Sequence, residues 1–252
     1  MNLIKADLFH YFKDRTSRII MIIVFIMPLF SCVMYSVSSA SFSTDTIIVK
    51  SVGTDILCAI LGLQISLFIG KDYANNTLRN KLCYGESRYK VVMCYFLESI
   101  LMTFLFVVIS VISSIVFSLC FGVFDFGDEL FIKLGFQLLI LIAYSVVITS
   151  IVVSTKSMKA GFIITLLVSV VLNSISYAMP VLAVEHSAIR VVCRVSYMIV
   201  STMLLAGKNG AYSVGSLYTF ENLYINAGLL SLAYIILSVG ITALVVKRQS
   251  YK

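Results

Sequence analysis

Residues 71–90 read KDYANNTLRNKLCYGESRYK, a charged, turn-punctuated island between two apolar runs, residues 52–70 and 100–121. In a chain of 252 residues that is 60% hydrophobic, such a stretch must meet water, and its flanks decide the fold. Only 12% of the chain is charged, against about 25% in a soluble domain. There is too little polar surface to cover one globular core, so the natural solvent is lipid. A spanning helix needs about 20 mostly apolar residues. Six segments meet or approach that length: 19–37, 52–70, 100–121, 134–153, 161–184 and 227–246. The second is the most polar, with Asp55 near one end and Gln64 inside it. Backbone N–H and C=O groups find no water in lipid and must pair within the segment, which selects helices. The runs lack the period-2 alternation of a barrel strand. The expected fold is therefore all-α: a polytopic membrane protein with six transmembrane helices in a single domain, 1–252.

Six spans put both ends on one side. If the N-terminus is cytoplasmic, 14 of the 19 basic residues fall inside: Lys5, Lys13, Arg15, Arg18, Lys71, Arg79, Lys81, Arg88, Lys90, Lys156, Lys159, Lys247, Arg248 and Lys252. Lys50, Lys133, Arg190, Arg194 and Lys208 fall outside. The positive-inside rule then orients both termini toward the cytoplasm. The net charge of +7 is accounted for as a topology signal, and no basic soluble domain exists to hold nucleic acid.

Residues 1–18 precede the first run and are patterned. Leu3, Ile4, Leu8, Tyr11 and Phe12 fall on one helical face, with Asn2, Lys5, His10, Lys13 and Asp14 over much of the other. That pattern predicts an amphipathic helix in the membrane interface and argues against a cleaved signal peptide, although Ser38-Ser39-Ala40 loosely resembles a cleavage site. Residues 38–51 are expected to be a polar outer loop, and Pro28 to kink the first span. Residues 185–226 form a long outer connection whose segment 195–206 is apolar but too short to cross, which predicts a re-entrant or interfacial hairpin before the last helix. The six cysteines show no CxxC pair and suggest neither zinc nor a disulfide framework.

Within the island, Asn75 and Asn76 are good N-caps, Thr77 to Tyr84 contains no breaker, and Gly85 suits the C′ position with positive φ. The result is a helix of about two turns, too short to be stable alone. Leu78 and Leu82 share a face at i,i+4 spacing, and Ser87 is placed to cap the next helix. Such a helix, with a basic rim, is suited to docking in a groove on a partner; the plainer reading is a basic loop that enforces topology.

The stretch from Asp72 to Arg88 resembles the E-x-x-x-G-T-[LI]-[RK]-x-x-[LI]-x-x-G-x-[SR]-R segment of ABC-2 type permeases, the membrane subunits of bacterial peptide and antibiotic ABC exporters. Thr77, Leu78, Arg79, Leu82, Gly85 and Arg88 fit; Asp72 stands where many members have Glu, and Asn76 where they commonly have Gly. The layout is similar too. The resemblance implies that residues 71–90 are a cytoplasmic coupling loop docking on an ATPase through Asn76, Thr77, Leu78, Arg79, Lys81, Leu82, Tyr84, Gly85 and Arg88. It further implies an ATPase dimer as partner, a second permease that is either another copy of this chain or a similar paralogue, and residence in the bacterial cell membrane. Export of an amphipathic peptide or hydrophobic antibiotic also follows from the resemblance alone.

The remaining residues fit a subunit without catalysis of its own. No G-x-x-x-x-G-K-[ST] loop is present to hold a nucleotide, so a partner must bind the ATP and no cofactor is expected. His10 and His186 lie on opposite sides in the expected topology and cannot share a metal. Glu98 is about two turns into the third helix, which starts before the third apolar run, and there an ion pair with Lys90, Arg88 or another basic loop residue at the inner interface explains it more simply than a proton relay. Gln64, Ser114 and Asn173 either serve close helix packing or line a pathway. A non-transporting immunity or sensor protein that binds peptide, or a secondary transporter, is the alternative class.

Overall fold

A computed structural model describes residues 2–37, 44–53, 55–75, 77–83, 85, 87–121, 130–167, 171 and 220–249. Every regular element among them is an α-helix. In chain order they are α1 (Asn2–Lys13), α2 (Arg15–Val37), α3 (Thr44–Gly53), α4 (Asp55–Ala74), α5 (Thr77–Cys83), α6 (Arg88–Cys120) and α7 (Leu130–Thr155). Then come α8 (Met158–Leu167) and α9 (Phe220–Gln249). Among the described residues, four stretches are long and apolar enough to cross a membrane: Ile56–Ala74, Arg88–Cys120, Leu130–Thr155 and Tyr224–Lys247. The described part of the chain is thus all-helical, with transmembrane-length apolar helices compatible with a membrane location. α2 has 23 residues and carries Pro28 in its interior. The expected fifth span is described only through α8, and most of the expected outer hairpin, with Asn173, lies outside the described residues.

Two expectations need correction. Residues 44–53 are not loop: α3 is a helix whose Ile47, Ile48 and Val49 are buried. Ile48 and Val49 cluster with Leu130 against Val111, Ile115 and Leu134, so the apolar triplet, rather than the surrounding Ser and Thr, decides the local structure. The last helix begins at Phe220, so residues 220–226 extend it instead of closing a hairpin.

The core is built where α4, α6 and α7 meet, around Leu57, Leu61, Ile65, Ile69, Tyr95, Phe106, Tyr144 and Ile148. Between helices in lipid there is little hydrophobic drive, so close backbone approach and dispersion carry the association. Gly62 and Gly70 supply that approach on α4. A Cβ at Gly62 would lie 2.4 Å from Thr165 Cγ2, and one at Gly70 would lie 2.7 Å from the Met158 Cα. Ser66 and Thr165 hydroxyls hydrogen-bond at 3.1 Å between the same helices, α4 and α8. The hydroxyls of Ser99, Thr103, Ser113, Ser145 and Thr149 donate to carbonyls three or four residues back. Such bonds let polar side chains sit in an apolar span at little cost.

Outward faces are apolar: Ile22, Phe30, Phe104, Ile112, Leu229, Ile236 and Leu244 are all exposed, as lipid-facing helices require. α9 runs parallel to α7, since Phe136 stacks near Tyr224 at one level and Ser150 bonds the Ser238 carbonyl at another. The Lys71–Asp14 and Lys81–Asp7 ion pairs and the Gly70–Met158 approach gather the α1–α2 junction, α5, the start of α6 and the α7–α8 turn at one end. Exposed Lys5, Lys13, Arg15, Arg18, Arg88, Lys90, Lys156 and Lys159 share that end.

Candidate functional site

α5 is seven residues long and sits in the connection between α4 and α6. Its C-terminus and the start of α6 follow the expected chemistry. Gly85 takes φ +85° and donates its N–H to the Leu82 carbonyl at 3.1 Å, closing the C-terminus as a left-handed C′ residue. Ser87, extended at φ −71° and ψ 146°, accepts from the Lys90 N–H at 3.3 Å and starts α6. Asn76 and Tyr84 lie outside the described residues, and the side chains of Leu78 and Arg79 are likewise not described.

What pins α5 is a hub of charged groups that the sequence reading did not assemble. Lys81 Nζ donates to Asp7 Oδ2 of α1 at 2.8 Å and to Asp72 Oδ2 of α4 at 2.6 Å. The phenol of Tyr95, on α6, donates to the same Asp72 oxygen at 2.9 Å. Thr77 Oγ1 lies 2.9 Å from Asp72 Oδ1 and 3.0 Å from the Asp72 carbonyl oxygen and donates between them. The ammonium also stands 5.2 Å over the Tyr95 ring, a cation–π distance. One lysine therefore joins four helices. Burial works against the Lys81 charge, but the Asp7 and Asp72 carboxylates outweigh it and hold its pKa above the ordinary lysine value. The side chain is 13% exposed, so Lys81 is an internal tie and not the rim contact expected of it.

Leu82 also turns toward the bundle. It is half-buried and packs against the bundle's own core, because the Lys81 tie rotates that face of α5 inward. Thr77 is also turned inward, onto Asp72. Among the expected docking residues, Gly85 and Arg88 are exposed, and next to them so are Cys83 and Tyr89.

α1 also differs from its expected face. Tyr11 is buried, edge-on to Phe68 with ring centroids 5.8 Å apart, whereas Phe12 and Phe9 are exposed. Asp7, Tyr11 and Asp14 recur at helical spacing and face the bundle because Lys81 and Lys71 draw the two carboxylates there. At Asp14 partial burial opposes the charge, yet Lys71, the Thr16 N–H and the Ser17 hydroxyl together hold the carboxyl below its usual range. Gln64 joins this junction, its Nε2 donating to Ser17 Oγ at 2.8 Å.

Glu98 is 1% exposed, and its carboxyl lies against that of Asp7, with no basic or hydroxyl donor on it among the described residues. The expected pairing with Lys90 or Arg88 is not made. Those residues start α6 and are exposed, about 12 and 15 Å along the helix from Glu98 at 1.5 Å per residue. Lys81 is the basic loop residue whose charge acts on Glu98, together with those of Asp7 and Asp72, but its hydrogen bonds go to the two aspartates. Gln64 and Ser114 do not share a site: Ser114 meets Ser51 of α3 at 2.7 Å, on the far side from the Gln64–Ser17 contact. No cluster of metal-ligand residues occurs among the described residues.

Asp7, Asp14, Asp72 and Tyr95 are the residues that sequence reasoning missed. The available signal was acidic, Asp72 standing beside an apolar run and Asp7 in the patterned N-terminal segment, but the Lys81–Asp7 pairing across 74 residues is invisible without the fold. Compared with protein-family models and with curated proteins, the chain matches none of them.

Proposed function

We propose that this chain is the membrane subunit of an ATP-driven exporter of the ABC-2 type, without catalysis of its own and powered by a separate ATPase dimer. In this reading two such subunits form the pathway in a bacterial cell membrane, each with six spans and both termini cytoplasmic. The cargo class is an amphipathic peptide or a hydrophobic antibiotic.

The observation that supports the reading most is the mounting of α5. A free basic loop would need only charge, whereas this helix is closed by a positive-φ glycine and tied through Lys81 and Asp72 to α1, α4 and α6. A displacement applied to α5 would reach three other helices at once, which is what a coupling element requires. Because Leu82 and Lys81 are used internally, the docking face is assigned to Cys83, Gly85, Arg88 and Tyr89. Tagged protein should co-purify with an ATPase, and the double variant Arg88→Glu, Tyr89→Ala should lose it at an unchanged membrane level. A chain that performs its role in membranes with no ATPase present would end the exporter reading.

A further inference from the structure

Residues 1–18 contain two acids, Asp7 and Asp14, and four strong cations, Lys5, Lys13, Arg15 and Arg18. The fold sorts them by side. Asp7 and Asp14 face the bundle, paired with Lys81 and Lys71. The four cations are exposed, and among the described residues none of them has a carboxylate partner. Arg18 uses one N–H on the Lys13 carbonyl, at 3.4 Å, which ties the corner between α1 and α2. Two aromatic rings stand outward beside these charges, Phe9 at 65% exposure and Phe12 at 48%. The Lys13 ammonium lies 5.9 Å from the centroid of the Phe9 ring, so charge and apolar surface are presented together.

Contacts fix the level of this corner. Tyr11 meets Phe68, Asp14 meets Lys71, and Asp7 bonds the ammonium that also bonds Asp72. α1 therefore lies across α4 over residues 68–72, about 6 Å of that helix, where the apolar run 52–70 gives way to Lys71. In a bilayer that level is the boundary between hydrocarbon and headgroups. From the corner, α2 carries on an outward stripe of Arg15, Ile19, Ile22 and Ile26, all exposed and spaced by three or four residues. Arg15 thus stands one turn from the first isoleucine that faces lipid. An acidic protein would match the charge but not the rings or the isoleucines continuous with them. An anionic phospholipid matches both, acyl chain against the apolar side chains and phosphate against the cations.

We propose that the outer side of the α1–α2 corner is a docking surface for anionic phospholipid, with Phe9 and Phe12 at the acyl boundary and Lys13, Arg15 and Arg18 on the headgroup phosphate. Its selectivity comes from the inward pairing of both aspartates, which leaves the positive charges uncancelled on the lipid side. It is independent of the exporter reading.

The chain contains no tryptophan, so Phe9→Trp places a single fluorescent reporter in this surface. The full chain is reconstituted without a partner in phosphatidylcholine vesicles. Quenching is then compared for dibrominated phosphatidylglycerol and dibrominated phosphatidylcholine at equal mole fraction. The anionic lipid should associate at the reporter at least about fivefold more strongly, since about 1 kcal/mol per basic residue near an anionic surface is about a factor of five. Adding Lys13→Gln and Arg15→Gln should remove most of that preference. Adding Lys156→Gln and Lys159→Gln, which takes two exposed cations from the α7–α8 turn at the same end, should leave it. Equal quenching by the two lipids, or equal loss in the two charge variants, overturns the proposal. So does quenching by aqueous acrylamide in place of the lipids, the result expected of a face kept for an acidic protein. Should the Lys13→Gln, Arg15→Gln protein insert poorly, salt decides on Phe9→Trp alone: screening should shrink a headgroup-driven preference, and a preference indifferent to salt rejects it.

Discussion

At Gly85 the backbone takes φ +85° with nothing within 4 Å of where a Cβ would stand. A substitution there meets no clash, so its cost is purely conformational, about 1–2 kcal/mol for an L-residue forced into the left-handed region. Gly85→Ala should lower the thermal unfolding midpoint in nanodiscs, and Gly85→Asn, which tolerates that region better, should lower it less. Asp72 is the residue with the most to lose. Asp72→Asn removes the negative charge and one of the two acceptor oxygens that Lys81, Tyr95 and Thr77 share in a site 13–19% exposed, and breaking one side of such a pair costs about 3 kcal/mol or more. The double variant Asp72→Leu, Lys81→Met should recover much of that loss, measured by the same unfolding assay. pH separates the two basic ties by sign. Asp14 has a depressed folded pKa, so its contribution is complete above the ordinary carboxylate range and is lost as pH falls through the folded value. Acidification below about pH 4 should therefore weaken the wild type more than Asp14→Asn. Lys81 has a raised folded pKa, so its contribution is complete at neutral pH and lost only under strongly alkaline conditions.

At the scale of elements, α4 is the helix on which the bundle closes, and two of its glycines set the distance. The Gly70 position faces the backbone of Met158, which cannot rotate away as a side chain can. Gly70→Ala should push α4 from α8 and destabilise by about 1–3 kcal/mol, as overpacking does. Gly135 on α7 has open space around it, and Gly135→Ala should be neutral or stabilising by up to about 1 kcal/mol through helix propensity. The pair of variants, compared by unfolding in nanodiscs, distinguishes close approach from the general cost of replacing a helical glycine. If Gly70→Ala and Gly135→Ala shift the midpoint equally, the tight α4–α8 contact is refuted.

For the whole molecule, α6 is the ruler. Its 33 residues span about 50 Å at 1.5 Å per residue, and exposed cysteines stand close to either end, Cys83 and Cys120. With Cys193 replaced by Ser, a membrane-impermeant maleimide should label Cys120 in right-side-out vesicles and Cys83 in inside-out vesicles. Labelling of both from the same face would contradict a membrane-crossing α6. The expected orientation adds that Lys252 is reached from the same side as Cys83, because the basic residues of the island end carry the positive-inside signal.

The sequence by itself determined the class and the punctuation. Apolar runs of about 20 residues force helices in lipid, and Gly85 and Ser87 mark the ends of α5 and α6 because their chemistry is local: one needs no Cβ, the other accepts an N–H three residues on. The structure decided direction. Leu82 and Lys81 read as an outward docking face because, within the loop, nothing shows where the bundle stands; their partners, Asp7 and the core, come from distant positions in the chain. α3 read as loop because its few aliphatic residues are outvoted by hydroxyls until Leu130 and Val111 are brought against Ile48 and Val49. Glu98 read as an interface ion pair because its spacing to Lys90 is short in sequence, while the helix carries those two residues about 12 Å apart and leaves the carboxyl against Asp7. Local backbone chemistry is written in neighbouring residues, but which face of a helix is inward is settled only by contacts that close between segments far apart in the chain.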